Sequence, residues 1–291
     1  MPGRDIALVV LVCAVWALNV LIAAFALEEL PPILFTGLRM AVLTLLLWPF
    51  LRWPQPGQWP HLLAIGLCLG VFHFGLSFWA LDLAGDLSSL AILMQSYVPM
   101  AAVLAWALLG ERTGLGRASA IAVSVLGVLV LGFDPIVLDH PLAMALTLGS
   151  ALMLALATVL MRGLQGQSVW SQQGWLALLS VGPLLGLSLW LEGPLLLNAA
   201  QAGLAGWGGV FYSALVSSLV GHGLYYILLQ RHPVAAVTPW LLLSPLMTVV
   251  LGVAVWGDRP GPALWLGGAM VLGGVLAIAL QGRYALRGLR P

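Results

Sequence analysis

The sequence of 291 residues contains no lysine, and charged residues of every kind make up only 7% of it. A water-soluble globular domain carries about 25% charged residues, so this chain cannot cover itself with a solvated surface. Set beside 62% hydrophobic residues, the shortage of charge excludes a soluble protein and implies an integral membrane one. A net charge of +1 with no basic run leaves no surface for nucleic acid. Cysteine is scarce as well. Cys13 and Cys68 each fall in the middle of an apolar segment, which reads as core thiols. No Cys/His spacing suggests a metal site, and nothing calls for a cofactor. No Asp or Glu stands in the middle of any long apolar run.

These absences also bear on enzyme classes. An intramembrane protease or lipid transferase needs buried Asp pairs, a Ser/His pair behind a Gly-x-Ser-Gly stretch, or acid clusters at one membrane face. None is evident in the sequence, so an enzyme is not expected. A receptor or scaffold would usually carry a soluble domain, and the connections here are too short to hold one.

What the chain has in abundance is apolar runs of membrane length. A membrane helix needs about 20 mostly apolar residues, and irregular backbone cannot face lipid. On that criterion the fold class is all-α integral membrane, with ten transmembrane helices. They lie at roughly 6–27, 32–51, 61–81, 87–109, 117–133, 140–162, 170–191, 205–229, 234–256 and 262–282. Ala24-Phe25-Ala26 mimics a signal-cleavage site, but the run from Ile6 is about 22 residues long. That exceeds a signal-peptide core of about 7–15, and the segment is read as a retained helix. Arg4, Arg52, Arg112, Arg117, Arg162, Arg231, Arg283, Arg287 and Arg290 sit in even connections or at the termini. Odd connections hold only Arg259, and this asymmetry puts both termini in the cytoplasm. Trp48, Trp53, Trp59, Trp170, Trp190 and Trp207 fall near helix ends and read as an interfacial belt.

One motif occurs twice. Leu93-Met94-Gln95-Ser96-Tyr97-Val98-Pro99, an apolar run and Leu109-Gly110-Glu111-Arg112 form the first copy. Leu241-Leu242-Leu243-Ser244-Pro245, an apolar run and Trp256-Gly257-Asp258-Arg259 form the second. A repeat near 147 residues implies two five-helix halves, 1–134 and 135–291. With five helices each, the second half enters the membrane in the opposite sense. Inverted repeats of this kind are a recurring transporter architecture, with the substrate site near the midplane between the halves.

Val15-Trp16-Ala17-Leu18-Asn19 is similar to the first-helix Trp-x-x-Asn signature of the EamA family in the drug/metabolite transporter superfamily. Pro31-Pro32 with Gly37-Leu38-Arg39 resembles its second helix, Gly110-Glu111-Arg112 its fourth-helix end, and Gly221-His222-Gly223 its eighth-helix Gly-Tyr-Gly. The resemblance covers essentially the whole chain. It implies a multi-pass bacterial inner-membrane exporter of amino acids and related small metabolites, aromatic amino acids among the candidates. A multidrug or purine/nucleobase exporter on the same fold, proton-coupled through a histidine, stands as the alternative. The sequence departs from the family pattern at Leu154, the counterpart of Trp16, and at His222, where the family has Tyr.

Ionisable groups inside a membrane are functional candidates by default. Arg39 either binds a substrate carboxylate or ties helix 2 to its neighbours. His73 and His222, equivalent in the repeat, line the pathway or sit hydrogen-bonded in the core. Trp16, Asn19, Phe74, Phe78, Gln95, Tyr97, Trp106, Tyr225, Tyr226, Trp240 and Ser244 supply aromatic and polar walls, of which about half are expected to face a cavity. Pro99 and Pro245 break helices in the membrane interior, as hinges or as static bends. Gly66-x-x-x-Gly70 and Gly182-x-x-x-Gly186 read as packing within one chain, which leaves a monomer in the bilayer as the expected state.

Overall fold

The computed structural model describes residues 1–110, 114–161, 164, 167–232 and 234–287. The side chains of 136, 195–196, 226, 230, 234–235, 238 and 282–287 lie outside that description. Among the described residues the chain is helical throughout, with no strand. The long helices in chain order are α1 (Gly3–Leu27), α2 (Pro32–Phe50), α3 (Trp59–Leu83), α4 (Leu87–Leu109) and α5 (Leu115–Leu131). They continue with α6 (Pro141–Leu160), α7 (Val169–Leu191), α8 (Leu204–Leu229), α9 (Pro239–Trp256) and α10 (Pro262–Gln281). Nine of them are long and apolar enough to cross a membrane, and α5, at 17 residues, is the shorter apolar helix. Connections expected as loops contain two short helices, Pro135–Asp139 and Leu195–Gln201.

Local chemistry explains the boundaries. Proline sits in the first turn of α2, α3, α6 and α10, where its missing N–H has no intrahelical partner to lose. The C-terminal ends of α4 and α9 are set by Gly110 (φ 66°) and Gly257 (φ 92°), a backbone that only glycine adopts without strain. Between those ends, both helices are interrupted. α4 runs as Leu87–Met94 and Tyr97–Leu109, and the helix through α9 runs as Val234–Leu241 and Leu243–Leu251. Each interruption falls at or next to the residue four before a proline, whose carbonyl loses its usual donor. In α4 that carbonyl, Gln95 O, accepts instead from Val98 N at 3.1 Å, a tighter turn.

Two further irregularities occupy equivalent places in α3 and α8. Gly66–His73 and Tyr212–Gly221 are π-helical, with i→i+5 bonding that widens the turn. Such segments are rare and recur at functional sites. They carry one imidazole each at or just beyond their ends, His73 and His222.

The two sets of five helices interleave. α1 packs on α8 and α9, α6 packs on α3 and α4, and α2 pairs with α7 as α5 does with α10. Exchanging the sets maps this pattern onto itself. The α5/α10 pair makes the tightest backbone approach. A Cβ on Gly127 would lie 2.7 Å from Gly267 O, and one on Gly274 2.7 Å from Ala120 O. Gly66 and Gly70 likewise face α7, against Leu179, Ser180 and Leu176. Gly182 and Gly186 do not pack within the chain as expected. Both are exposed on α7 with no atom near the place a Cβ would take, because the buried stripe of that helix runs through Ala177, Ser180, Leu184 and Ser188 instead.

One end of the bundle is joined by carboxylates. Helix N-termini present unbonded N–H groups and a partial positive charge. Asp258, after α9, accepts from Leu87 N (3.1 Å), Ser88 N (2.9 Å) and Ser88 Oγ at the start of α4. Glu192, after α7, accepts from Ile33 N (2.7 Å) and Leu34 N (2.8 Å) of α2. Asp134, after α5, accepts from Leu264 N of α10 at 3.0 Å. Glu29, after α1, accepts from Gly203 N and Gly206 N at the start of α8. Every one of these four contacts runs from one set of five helices to the other. Buried Asp258 and Asp134 contribute more than exposed Glu29, since such contacts are worth up to about 2 kcal/mol when partly buried and less at the surface. Asp86 caps its own helix through Ser89 N at 2.7 Å. Burial, and then the charges of Asp258 and Asp134, hold its carboxyl above the ordinary range. Acids therefore gather at one face of the bundle, and they serve there as helix caps. On the opposite face Asp5 of α1 meets Arg231 (3.1 Å) and His232 (2.6 Å) after α8.

The seam gives a stability prediction. Gly127→Leu forces α5 away from α10 and lowers the melting temperature of the detergent-purified protein, at an overpacking cost of about 1–3 kcal/mol or more. Gly182→Leu, on the exposed face of α7, leaves it unchanged. Equal melting temperatures for the two variants would refute the close approach.

Candidate functional site

A cavity of about 560 Å³ lies between the two sets of helices, within the usual range of small-molecule pockets. Its lining extends along the ends of α3, α6 and α7 that carry Leu62, Met161, Leu164 and Gln172. Those ends belong to the face of Asp5 and Arg231. Toward the carboxylate-capped face the lining stops at Leu81 and Leu90. The lining thus spans most of the distance between the two faces.

Most residues expected to line a cavity do so. Trp16, Asn19, Arg39, His73, Phe74, Phe78, Gln95, Tyr97, His222, Tyr225 and Ser244 are all on the wall, with Pro245 beside Ser244. Pro99 is buried one helical turn beyond Gln95 and off the wall. Two candidates miss. Trp240 is 37% exposed and off the lining, its carbonyl accepting from the Cys13 thiol; Trp106 is 58% exposed. Both rings sit on outward faces of their helices, which sequence alone does not distinguish from inward ones once both faces are apolar. The Tyr226 side chain lies outside the described residues, as do Glu111 and Arg112 of the first motif.

The polar interior is organised around Arg39. It is 2% exposed, and its guanidinium carbon lies 4.2 Å from the Phe74 ring centre and 5.4 Å from that of Phe78. Guanidinium groups are attracted to aromatic faces, which fixes the plane of the group. Arg39 Nη2 donates to Ser218 Oγ at 2.9 Å, and Ser218 Oγ donates to Ser213 O at 2.8 Å. Ser213 Oγ in turn donates to Asn19 Oδ1 at 2.7 Å. The π-helical turn of α8 is what lets serines four and five apart face α1 and α2 together. Arg39 Nε and Nη1 have no hydrogen-bond partner among the described residues.

Each imidazole is held differently. His73 Nδ1 lies 2.8 Å from Ser150 Oγ and 3.2 Å from Ser150 O of α6. His222 Nδ1 lies 3.2 Å from Ser217 O and packs against Trp16, ring centres 5.2 Å apart. Trp16 Nε1 donates to Ser217 O at 3.4 Å, and its ring meets Tyr225 edge-on. Sequence reasoning missed Ser150, Thr147, Gln172, Gln173, Ser217, Ser218 and Thr248, of which all but Ser150 face the cavity. Small hydroxyls in apolar helices satisfy their own backbone so readily, as Thr147 and Thr248 do, that they give little signal. Among the described residues, no Asp or Glu lines the cavity.

With this geometry in view, the comparisons with known proteins are consistent. A probable amino-acid metabolite efflux pump of Escherichia coli K12 is 26% identical over 94% of each chain. A protein of the same description from Salmonella typhimurium LT2 is 28% identical, over 96% of this chain and 94% of the other. The uncharacterized inner membrane transporter YedA of Escherichia coli K12 is 23% identical, over 93% and 88%. A solved structure titled "Crystal structure of protein" shares the fold, with a TM-score of 0.64 at 18% identity over 98% of this chain and 99% of the other. The EamA-like transporter family matches twice, at residues 4–133 and 141–280, one match for each set of five helices, and the chain belongs to that family.

Proposed function

We propose that the protein exports amino acids or related small metabolites across the bacterial inner membrane by alternating access. The observation that carries this reading is the cavity itself, walled by both of two interleaved sets of helices. In this reading α5 is a tenth span and both termini are cytoplasmic. The two halves, 1–134 and 135–291, are inverted repeats. A monomer suffices for this. The relatives described as amino-acid metabolite efflux pumps support the same substrate class. Trp16, Tyr225 and Phe74 offer apolar and aromatic contact, while Asn19, Gln95 and Ser244 offer hydrogen bonds. Among the described residues the wall has no carboxylate for a cationic drug, which weighs against the multidrug alternative.

Release to the far side requires the capped face to part, so at least some cross-half carboxylate contacts break in each cycle. The interruptions before Pro99 and Pro245 are the points where α4 and α9 can bend without losing further backbone hydrogen bonds.

Three outcomes are expected. Purified protein in liposomes takes up labelled apolar or aromatic amino acids or their derivatives; silence across that panel together with uptake of nucleobases or drugs would replace the substrate class. Asp258→Cys with Leu87→Cys, joined by a reducible cross-linker, slows transport at least tenfold and recovers on reduction; undiminished transport would mean that this face need not open. Pro99→Ala slows turnover severalfold with substrate affinity near normal, whereas lost affinity at normal turnover would make the proline a shaper of the cavity.

A further inference from the structure

We infer that the cavity selects a carboxylate anion on an apolar body that carries no free ammonium group: an N-acylated amino acid, or a 2-oxo or 2-hydroxy acid. This deepens the exporter reading and rests on it. The argument is one of charge balance. Arg39 is a fixed positive charge on the cavity wall, 2% exposed, with Nε and Nη1 unpartnered among the described residues. Its neighbours Phe74, Phe78 and Ser218 are neutral and leave the charge uncompensated. A buried cation without a counter-charge is costly, and a ligand carboxylate both neutralises it and accepts from its free donors.

The rest of the wall decides what else the ligand carries. The ten acids of the chain are Asp5, Asp82, Asp86, Asp134, Asp139, Asp258, Glu28, Glu29, Glu111 and Glu192. None of those described lines the cavity; Asp134, Asp258, Glu29 and Glu192 are spent on helix N-termini and Asp5 on Arg231. A zwitterion would therefore bring an ammonium into a site whose other groups are amides, hydroxyls, imidazoles and rings. It would gain at the carboxylate and lose part of that gain at the nitrogen. Acylation or oxidation removes the penalty and leaves the carboxylate contact. Asn19 and Gln95 then suit an amide or keto oxygen.

The charge of the cargo also supplies a driving force. A complete cycle that moves one monoanion outward moves one negative charge, and an interior-negative potential favours that direction. At 100 mV the equilibrium ratio is about 50-fold for one charge. Export then needs no proton site, which agrees with a membrane interior lacking a carboxylate.

The test is a two-by-two ligand series in proteoliposomes: phenylalanine, N-acetylphenylalanine, phenylalaninamide and N-acetylphenylalaninamide. We expect N-acetylphenylalanine to be taken up at least tenfold better than phenylalanine, with both amides poorer still. Its accumulation should follow an imposed interior-positive potential, while that of phenylalanine should not. Arg39→Gln should abolish the advantage of the acid over its amide, and Arg39→Lys should restore part of it. Equal or better transport of phenylalanine would overturn the inference and leave the exporter reading standing. If no compound is carried, the exporter reading falls. In that case, failure of N-acetylphenylalanine to raise the melting temperature of the purified protein overturns this inference too. The wild-type series decides the matter even where the Arg39 variants do not fold.

Discussion

The structure depends on how helix ends are satisfied at one face of the bundle. Four carboxylates leave the end of a helix in one set of five and cap the start of a helix in the other. Each does two jobs at once. It removes orphaned N–H groups from a region with little water, and it ties the two sets of helices together at that face. Apolar contact gives no preference between positions in a lipid environment, since lipid is as apolar as the neighbouring helix. Directional caps do.

The interior follows a complementary logic. Among the described residues acids stand only near helix ends and in connections, so the buried guanidinium of Arg39 has no internal counter-ion there. It is retained by two phenyl faces and a serine whose placement depends on the widened turn of α8. Backbone irregularity is tolerated at membrane depth only where protein or cavity surrounds it. Four such places here, the π segments of α3 and α8 and the two interruptions, have residues in or beside them on the wall: His73, Gln95, Ser217 and Leu241.

Much of this was legible in the sequence because the membrane imposes a simple rule. Apolar run length located the long helices to within a few residues, α10 extending helical to Arg287 because nothing in its polar tail breaks a helix. Proline four residues past Gln95 and Leu241 announced the interruptions, and the widely separated Trp16, Arg39, His73 and His222 do share one cavity. The rest was not legible for physical reasons. An acid in a short loop looks solvated, and only the neighbouring helix start reveals it as a cap. A π-helical turn has no residue signature. Trp106 and Trp240 differ from Trp16 only in which way the helix face points, and an apolar solvent outside erases that distinction. The spacing of Gly182 and Gly186 matches that of Gly66 and Gly70, yet only the latter meet a neighbour.

The two widened turns in α3 and α8 have a geometric consequence. Each holds surplus helical register immediately before an imidazole on the wall. Gaining or losing one residue of register there turns the following segment by about 100° about its own axis. Axial rotation of this kind would carry His73 and Phe78 in α3, or His222 and Tyr225 in α8, around the wall with almost no displacement of the helix. The lining of this cavity can therefore be exchanged by winding, without any change in how the helices are stacked.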